Sequence, residues 1–148
     1  MPDPATVAAF LEPRHAELAA AASAFAGAEI ATLEPCLDDD TARRQARRIV
    51  ELLGAGGWCG HAIAAEWGGS DHGPDFRACC LIREALAAAS PLADSVFALQ
   101  CLGSLPISLA ASDEVRRRFL PEVAAGRALA AFAMTEPDAG SDVAAIKT

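Results

Sequence analysis

The first 126 residues of this chain carry helical periodicity that proline and glycine interrupt at intervals. Residues 40–54 give the cleanest example, since apolar side chains recur at helical spacing while four arginines lie on the opposite face. Asp40 or Thr41 is predicted to cap this helix, and Gly54 to end it. Alanine, the strongest helix former, makes up 36 of the 148 residues. The pattern therefore predicts an α-helical domain. The apolar positions of the example are Ala42, Ala46, Ile49, Val50 and Leu53.

The same punctuation predicts the later helices. Pro74 is expected to begin a helix that runs to about residue 89. Residues 91–111 are expected to form a helical hairpin, because Gly103 and Pro106 interrupt the pattern. Ser112 is predicted to cap the helix that follows. The residues expected to be buried in the helix after Pro74 are Phe76, Cys80 and Leu86.

The helical pattern ends after Gly126. Residues 128–135 are apolar, and a dense cluster of turn residues follows from Glu136 to Asp142. This change predicts one β-strand, Ala128 to Thr135, that enters a polar loop. Residues 1–126 are therefore expected to form an N-terminal α-helical domain, and residues 127–148 the incomplete start of a β domain.

Charge and cysteine content exclude several classes of function. A formal net charge of −8 opposes binding to a nucleic-acid backbone. The longest uncharged stretch, residues 95–112, contains polar residues and Pro106, so we expect a core helix or helix pair rather than a membrane span. Five irregularly spaced cysteines without a secretory signal are typical of reduced thiols in a cytoplasmic protein. The three histidines lack partners at helical spacing, so no metal site is expected.

The segment from Ala133 to Asp142 carries residue types suited to ligand binding. The end of a strand would present the Thr135 hydroxyl and backbone N–H groups outward. Gly140 permits close backbone approach, and Ser141 adds a hydroxyl beside further N–H donors. Such a loop could bind a planar, acceptor-rich heterocycle beside a phosphate. The residues alone leave open an ordinary strand and turn with local hydrogen bonds.

Ordered motifs along the chain resemble the acyl-CoA dehydrogenase family. The segment Ala133-Met134-Thr135-Glu136-Pro137-Asp138-Ala139-Gly140-Ser141-Asp142 is similar to that family's signature at every position. Leu102-Gly103-Ser104-Leu105-Pro106-Ile107 resembles its LGxxPI turn, and Phe119-Leu120-Pro121 with Gly126 resembles its (Y/F)LPxxxxG stretch. In the family's loop between its early helices, Tyr or Phe is the commoner residue at the position that Trp67 occupies in this chain. The resemblance covers almost the whole chain from about Pro13.

The resemblance implies an all-α, helical bundle domain at the N-terminus, followed by the first strand and loop of a middle β-barrel domain. It implies an oxidoreductase of fatty acid metabolism with FAD as cofactor and an acyl-CoA as substrate, transferring hydride to flavin N5. An electron-transferring flavoprotein is the implied partner, and full-length members assemble as homotetramers or dimers. The implied flavin-binding residues are Phe132, Ala133, Met134, Thr135, Gly140 and Ser141. The implied substrate-binding residues are Ser141, Asp94, Ser95, Ala98, Leu99 and Leu102.

The resemblance assigns no catalytic residue to this chain. The family's base is a carboxylate carried later in the sequence, so we expect the isolated chain to be inactive, while Glu136 is expected to hydrogen-bond the turn. Two alternatives stay open. One is a non-catalytic helical assembly or interaction module without flavin. The other is a different flavoprotein of the same fold, such as an acyl-carrier thioester dehydrogenase or a flavin monooxygenase.

Overall fold

A computed structural model of the chain describes residues 4–148. Within them the α-helices are α1 (Pro13–Phe25), α2 (Asp39–Ala55), α3 (Phe76–Ala89), α4 (Pro91–Ala110) and α5 (Asp113–Ala124). A π-helical turn, Ala26–Ile30, prolongs α1. Short 3₁₀ helices cover Pro4–Phe10, Trp58–Ala62, Ala65–Trp67 and Val143–Ala145. The predicted helical domain is confirmed.

The helix ends follow capping chemistry, but several differ from the sequence prediction. Gly54 was predicted to end α2, yet the helix continues to Ala55 and its C-cap is Gly56. The helix predicted to begin at Pro74 begins at Phe76, after the Asp75 cap.

The carboxylate of Asp38 accepts the Thr41 backbone N–H at 2.7 Å, so the cap of α2 lies earlier than Asp40 or Thr41. Ser112 caps α5 as predicted, through its hydroxyl and the Val115 N–H at 3.4 Å. Gly126 adopts a left-handed φ of 68° just after α5.

The predicted helical hairpin of residues 91–111 is wrong, because α4 is one continuous helix. Pro106 lacks an N–H and cannot pair with the carbonyl of Leu102 one turn earlier. Both residues lie on an exposed side of α4, where water can satisfy that carbonyl. The helix therefore continues through the proline.

The helices pack around α4. It contacts α2, α3 and α5, while α1 lies against α3. By length and composition alone, α4 is also the one helix of residues 4–148 that could cross a membrane. In this structure its Phe97 is fully buried in the bundle core. The main core is built largely from Ile30, Ile49, Leu53, Ile82, Leu86 and Phe97.

The buried face of α3 is rotated from the predicted one. Leu86 is buried as expected, but Phe76 is 56% exposed and Cys80 is exposed. The buried positions fall on Ala78, Cys79 and Ile82. The Asp75 cap and the docking of α1 and α4 decide this rotation.

All five cysteines are free thiols, and burial raises the pKa of Cys59 to about 12.

The predicted strand from Ala128 to Thr135 is also wrong for the described part of the chain, where no strand is formed. A strand needs a neighbouring strand to pair its backbone, and residues 128–135 find a helix instead. Ala128 and Ala130 pack against a second small core of Ile63, Leu120, Val123 and Ala124. The domain boundary near residue 126 stays a prediction.

Candidate functional site

One face of α4 presents the residues that the sequence assigned to substrate. Successive helical residues are rotated by about 100°, which places Ser95, Ala98, Leu99 and Leu102 within one arc of about 100°. Leu99 is 48% exposed and Leu102 is 45% exposed, although both are apolar. We call this stripe the α4 face. It is open to solvent, whereas the opposite side of the helix is in the core.

Asp94 lies at the edge of the α4 face and is engaged elsewhere. Its carboxylate oxygens accept hydrogen bonds from the Arg83 guanidinium of α3, at 2.7 and 2.9 Å. This paired geometry raises the pKa of Arg83. Asp94 was predicted to line the acyl site, but its charge is held by Arg83 between α3 and α4.

The chain after α5 crosses α4 beside this face. At Gly103 a Cβ atom would lie 2.6 Å from the Ala131 nitrogen and 2.8 Å from the Ala130 carbonyl carbon. Those distances exclude any larger side chain without movement of the backbone. Glycine at this position therefore lets residues 130–131 lie directly on the helix, within one helical turn of Leu99 and Leu102.

The next residues carry the predicted flavin contacts. Phe132, Ala133, Met134 and Thr135 are all exposed. Phe132 is 41% and Met134 is 43% exposed, so two large apolar side chains stand open beside the α4 face. Ser95 is less close, because it lies about 12 Å along the helix from Gly103.

Glu136 closes the loop that follows. Its backbone exchanges hydrogen bonds with Ala139, and its carboxylate accepts the N–H groups of Lys147 and Thr148 at 3.0 and 3.1 Å. The Thr148 hydroxyl donates to the same carboxylate. These bonds lower the pKa of Glu136, with the Thr148 hydroxyl contributing most. Glu136 hydrogen-bonds the loop, as the sequence predicted.

Gly140 and Ser141 lie at the exposed end of this loop. Gly140 does not have a positive φ, and a Cβ atom there would meet no atom within 4 Å. Neither backbone conformation nor the packing of this chain therefore requires glycine at position 140.

Sequence reasoning missed a buried charge cluster on the opposite side of the bundle. Asp75 is 5% exposed, and its carboxylate is 2.9 Å from His15 Nε2 and 2.7 Å from the Arg14 guanidinium. The Nδ1 atom of His15 accepts the Glu12 N–H at 2.9 Å, so Nε2 carries the proton donated to Asp75. The sequence signal was His15, which lies at helical spacing from the apolar residues Leu18, Ala22 and Phe25.

Hydrogen bonds set the charge state of this cluster. Burial by itself would raise the pKa of Asp75, but the bonds from His15, the Ala78 N–H and Arg14 hold it well below its usual range. Hydrogen bonds from Arg14 and Arg77 lower the pKa of Glu12 to about 2. Asp75 also caps α3 through the Arg77 and Ala78 N–H groups. The cluster joins the start of α1 to the start of α3.

Among residues 4–148, no group of three His, Cys, Asp or Glu side chains converges to hold a metal ion.

The structure is a helical domain in which an apolar helix face, open to solvent, lies beside an exposed loop that carries the signature residues. Residues 12–127 match the family described as "Acyl-CoA dehydrogenase, N-terminal domain". The chain belongs to the acyl-CoA dehydrogenase family, which is a family of oxidoreductases, and the predicted resemblance is confirmed.

Individual relatives support the same assignment. The chain is 33% identical over 138 residues to a probable acyl-CoA dehydrogenase of Mycobacterium leprae, covering 93% of this chain and 34% of the relative. It is 37% identical over 113 residues to a probable acyl-CoA dehydrogenase of Bacillus subtilis, covering 74% and 19%. It is 33% identical over 141 residues to a 3-(aryl)acrylate reductase of Clostridium sporogenes, covering 94% and 36%. The chain thus spans about a third or less of the length of these relatives.

Proposed function

We propose that this chain supplies the N-terminal domain of an FAD-dependent acyl-CoA dehydrogenase, which removes hydrogen from the α and β carbons of an acyl-CoA thioester. One observation carries the proposal. The contact of Gly103 with Ala130 and Ala131 sets the residues predicted for the acyl group, Leu99 and Leu102, beside the segment predicted for the flavin.

The exposed loop residues suit a flavin. FAD, when bound, supplies the hydride acceptor at N5. Phe132 and Met134 offer apolar surface to a planar ring, and the Thr135 hydroxyl offers a donor to the acceptor-rich pyrimidine end. A fixed donor at that end stabilises negative charge that develops during reduction. Gly140 leaves room for close approach, and Ser141 is assigned to the pyrophosphate and to the pantetheine of the substrate.

The α4 face suits an acyl chain. Ala98, Leu99 and Leu102 form an apolar surface, with Ser95 toward the start of the helix. Burial of such surface against an acyl tail contributes about 25 cal/mol per Å². Because Arg83 holds Asp94 in an ion pair, the α4 face need not bury an unpaired carboxylate.

The base that accepts the α-proton is expected from outside these residues. Asp94, at the edge of the α4 face, and Glu136, in the signature segment, both accept hydrogen bonds from other groups of the chain. We therefore expect no turnover by the isolated chain. The proposal also includes a homotetramer or dimer for the complete enzyme, an electron-transferring flavoprotein as electron acceptor, and a cytoplasmic location.

Titration of the purified 148-residue chain with FAD, followed by flavin fluorescence and absorbance, tests the cofactor assignment. We expect saturable binding, and we expect Thr135→Val to weaken it about tenfold through loss of one hydrogen bond. Thr32→Val is the matched control, because the Thr32 hydroxyl donates only to the carbonyls of Ala28 and Glu29 in the helical turn just before it. Absence of any FAD binding would favour the non-catalytic helical module instead.

A dye-reduction assay tests the proposed need for an external base. The chain, FAD and an acyl-CoA should give no reduction of an artificial electron acceptor. Turnover under these conditions would show that a carboxylate of this chain acts as the base, and would overturn that part of the proposal.

A second candidate function is reduction of a carbon–carbon double bond, and the relative named 3-(aryl)acrylate reductase favours it. The two functions differ in direction and in the substrate's carrier. A full-length enzyme that contains this domain should oxidise acyl-CoA thioesters under the leading proposal, whereas the second function requires reduction of an arylacrylate.

A further inference from the structure

Gln100 is a buried polar residue on the core side of α4, with 2% of its surface exposed. Its side-chain amide contacts the backbone that follows α5. Oε1 accepts the Ala130 N–H at 2.6 Å, and Nε2 donates to the Ala128 carbonyl at 3.0 Å. Nε2 also lies 3.4 Å from the Val123 carbonyl at the end of α5. Both N–H donors and the oxygen of this amide thus have partners.

The two groups on residues 128 and 130 form a specific pair. They flank Leu129, and they are the carbonyl and the N–H that one residue of a neighbouring parallel strand would engage. The Gln100 amide therefore replaces a strand partner for a segment that has no strand beside it. Leu129 is 60% exposed, so its side chain points away from this pairing.

Gly103 supplies a second fixed point three residues further along α4. Residues three apart lie on the same side of a helix, and Gly103 is in contact with Ala130 and Ala131. The hydrogen bonds of Gln100 set which backbone groups lie opposite the helix, and the contact at Gly103 sets how closely they approach. Together they fix both register and depth.

We propose that Gln100 is a positioning residue that fixes residues 128–131 on α4 and thereby sets where the Phe132–Thr135 segment stands relative to the α4 face. The flavin side of this inference rests on the proposed function. Hydride transfer requires the reacting atoms at about 3–3.5 Å, so the acyl-binding and flavin-binding residues must share one frame. Gln100 supplies that frame from the helix that carries the α4 face.

Residue-resolved amide exchange in the 148-residue chain tests this role. Gln100→Met keeps the side-chain length but removes donor and acceptor, and we expect the Ala130 amide to exchange about tenfold faster. The amide resonances of Phe132 to Thr135 should shift with it. Ser104→Ala is the matched control, since Ser104 is equally buried on α4 but bonds only the Cys101 carbonyl of its own helix. Equal effects of the two variants at Ala130 would overturn the proposal.

Gln100→Glu gives a second test that a general loss of stability would not reproduce. An ionised carboxylate can accept from Ala130 but cannot donate to Ala128 or Val123. The Cys59 thiol also faces position 100 and hydrogen-bonds the Gln100 side chain, and burial raises its pKa to about 12, so it stays protonated over the acid range. Burial raises the pKa of a carboxyl at position 100, and the protonated form regains a donor. We expect the Phe132–Thr135 resonances of this variant to return toward the wild-type positions as the pH falls. Resonances that ignore pH in this variant would count against the role.

FAD titration separates this inference from the proposed function. A chain that shows the exchange and pH effects but binds no FAD would retain the positioning role and lose the flavoprotein assignment. If the chain binds FAD, Gln100→Met should weaken that binding while Ser104→Ala leaves it within about twofold. Unchanged FAD affinity in Gln100→Met would overturn the link between Gln100 and the flavin segment.

Discussion

Polar groups are buried and paired on one side of the bundle, whereas on the other side polar and apolar groups are left exposed. On the α1–α3 side, the carboxylate of Asp75 is buried and surrounded by donors from His15, Arg14 and the start of α3. On the α4 side, the residues from Phe132 to Thr135 are exposed beside a helix face that also remains open. The first arrangement is complete within the chain and serves folding. The second leaves apolar surface and donors for another molecule.

The largest expected effect comes from breaking the α1–α3 side. Asp75→Ala should lower the free energy of unfolding by about 3–5 kcal/mol, because it leaves buried donors without their acceptor. Urea denaturation measures this change. Asp113→Ala is the matched control, since Asp113 is an exposed helix-end carboxylate paired with Arg116 at 3.2 Å, and it should cost about 1 kcal/mol or less. Equal losses would mean that the Asp75 cluster is not a folding centre.

The second-largest effect is expected in the pH dependence of the free energy of unfolding, which should reflect the titration of Asp75. Its pKa in the folded chain is lowered, so its contribution is present above the ordinary aspartate pKa of about 3.9 and is lost as the pH falls toward the folded value. Urea denaturation at several pH values between about 2 and 6 should show this acid slope in the wild type. In Asp75→Asn the slope should be shallower. An unchanged slope in that variant would assign the acid sensitivity to other carboxylates.

Two glycines sharpen the contrast on the α4 side. Gly103→Ala should lower the free energy of unfolding by about 1–3 kcal/mol, because the new methyl group meets the backbone of residues 130–131. Gly140→Ala should change it by no more than about 0.5 kcal/mol, since nothing in the chain lies near. Thermal or urea unfolding measures both. Gly140→Ala should instead weaken FAD binding, and a stability loss equal to that of Gly103→Ala would contradict the assignment.

The smallest effect on stability is expected at the α4 face itself. Leu102 is 45% exposed, so Leu102→Ala should lower the free energy of unfolding by less than about 1 kcal/mol. Leu120→Ala, at a fully buried leucine, should cost about 2–5 kcal/mol and is the control. Urea denaturation compares the two. A large loss for Leu102→Ala would place that residue in the core rather than on a binding face.

Much of the helical structure could be predicted from local signals. The periodicity of residues 40–54 and the cap at Ser112 needed only neighbouring residues, because helical hydrogen bonds span four positions. The signature from Ala133 to Asp142 likewise pointed to the family before any fold was known. The strand prediction for residues 128–135 was wrong because an apolar run does not specify its partner. The predicted hairpin at residues 91–111 was wrong because the exposure of Pro106 could not be read from its neighbours.

The sequence by itself determined the helical class of the domain and the family, and it supplied the predictions for the flavin and acyl residues. Only the tertiary structure decided that Asp94 is held by Arg83, that His15 is buried against Asp75, and that Gln100 pairs with the backbone around Leu129. These contacts join residues 11 to 60 positions apart. A polar side chain in an apolar stripe indicates that a hydrogen-bond partner is needed, because an unpaired buried polar group lowers the free energy of unfolding. Which partner it finds depends on how the helices pack.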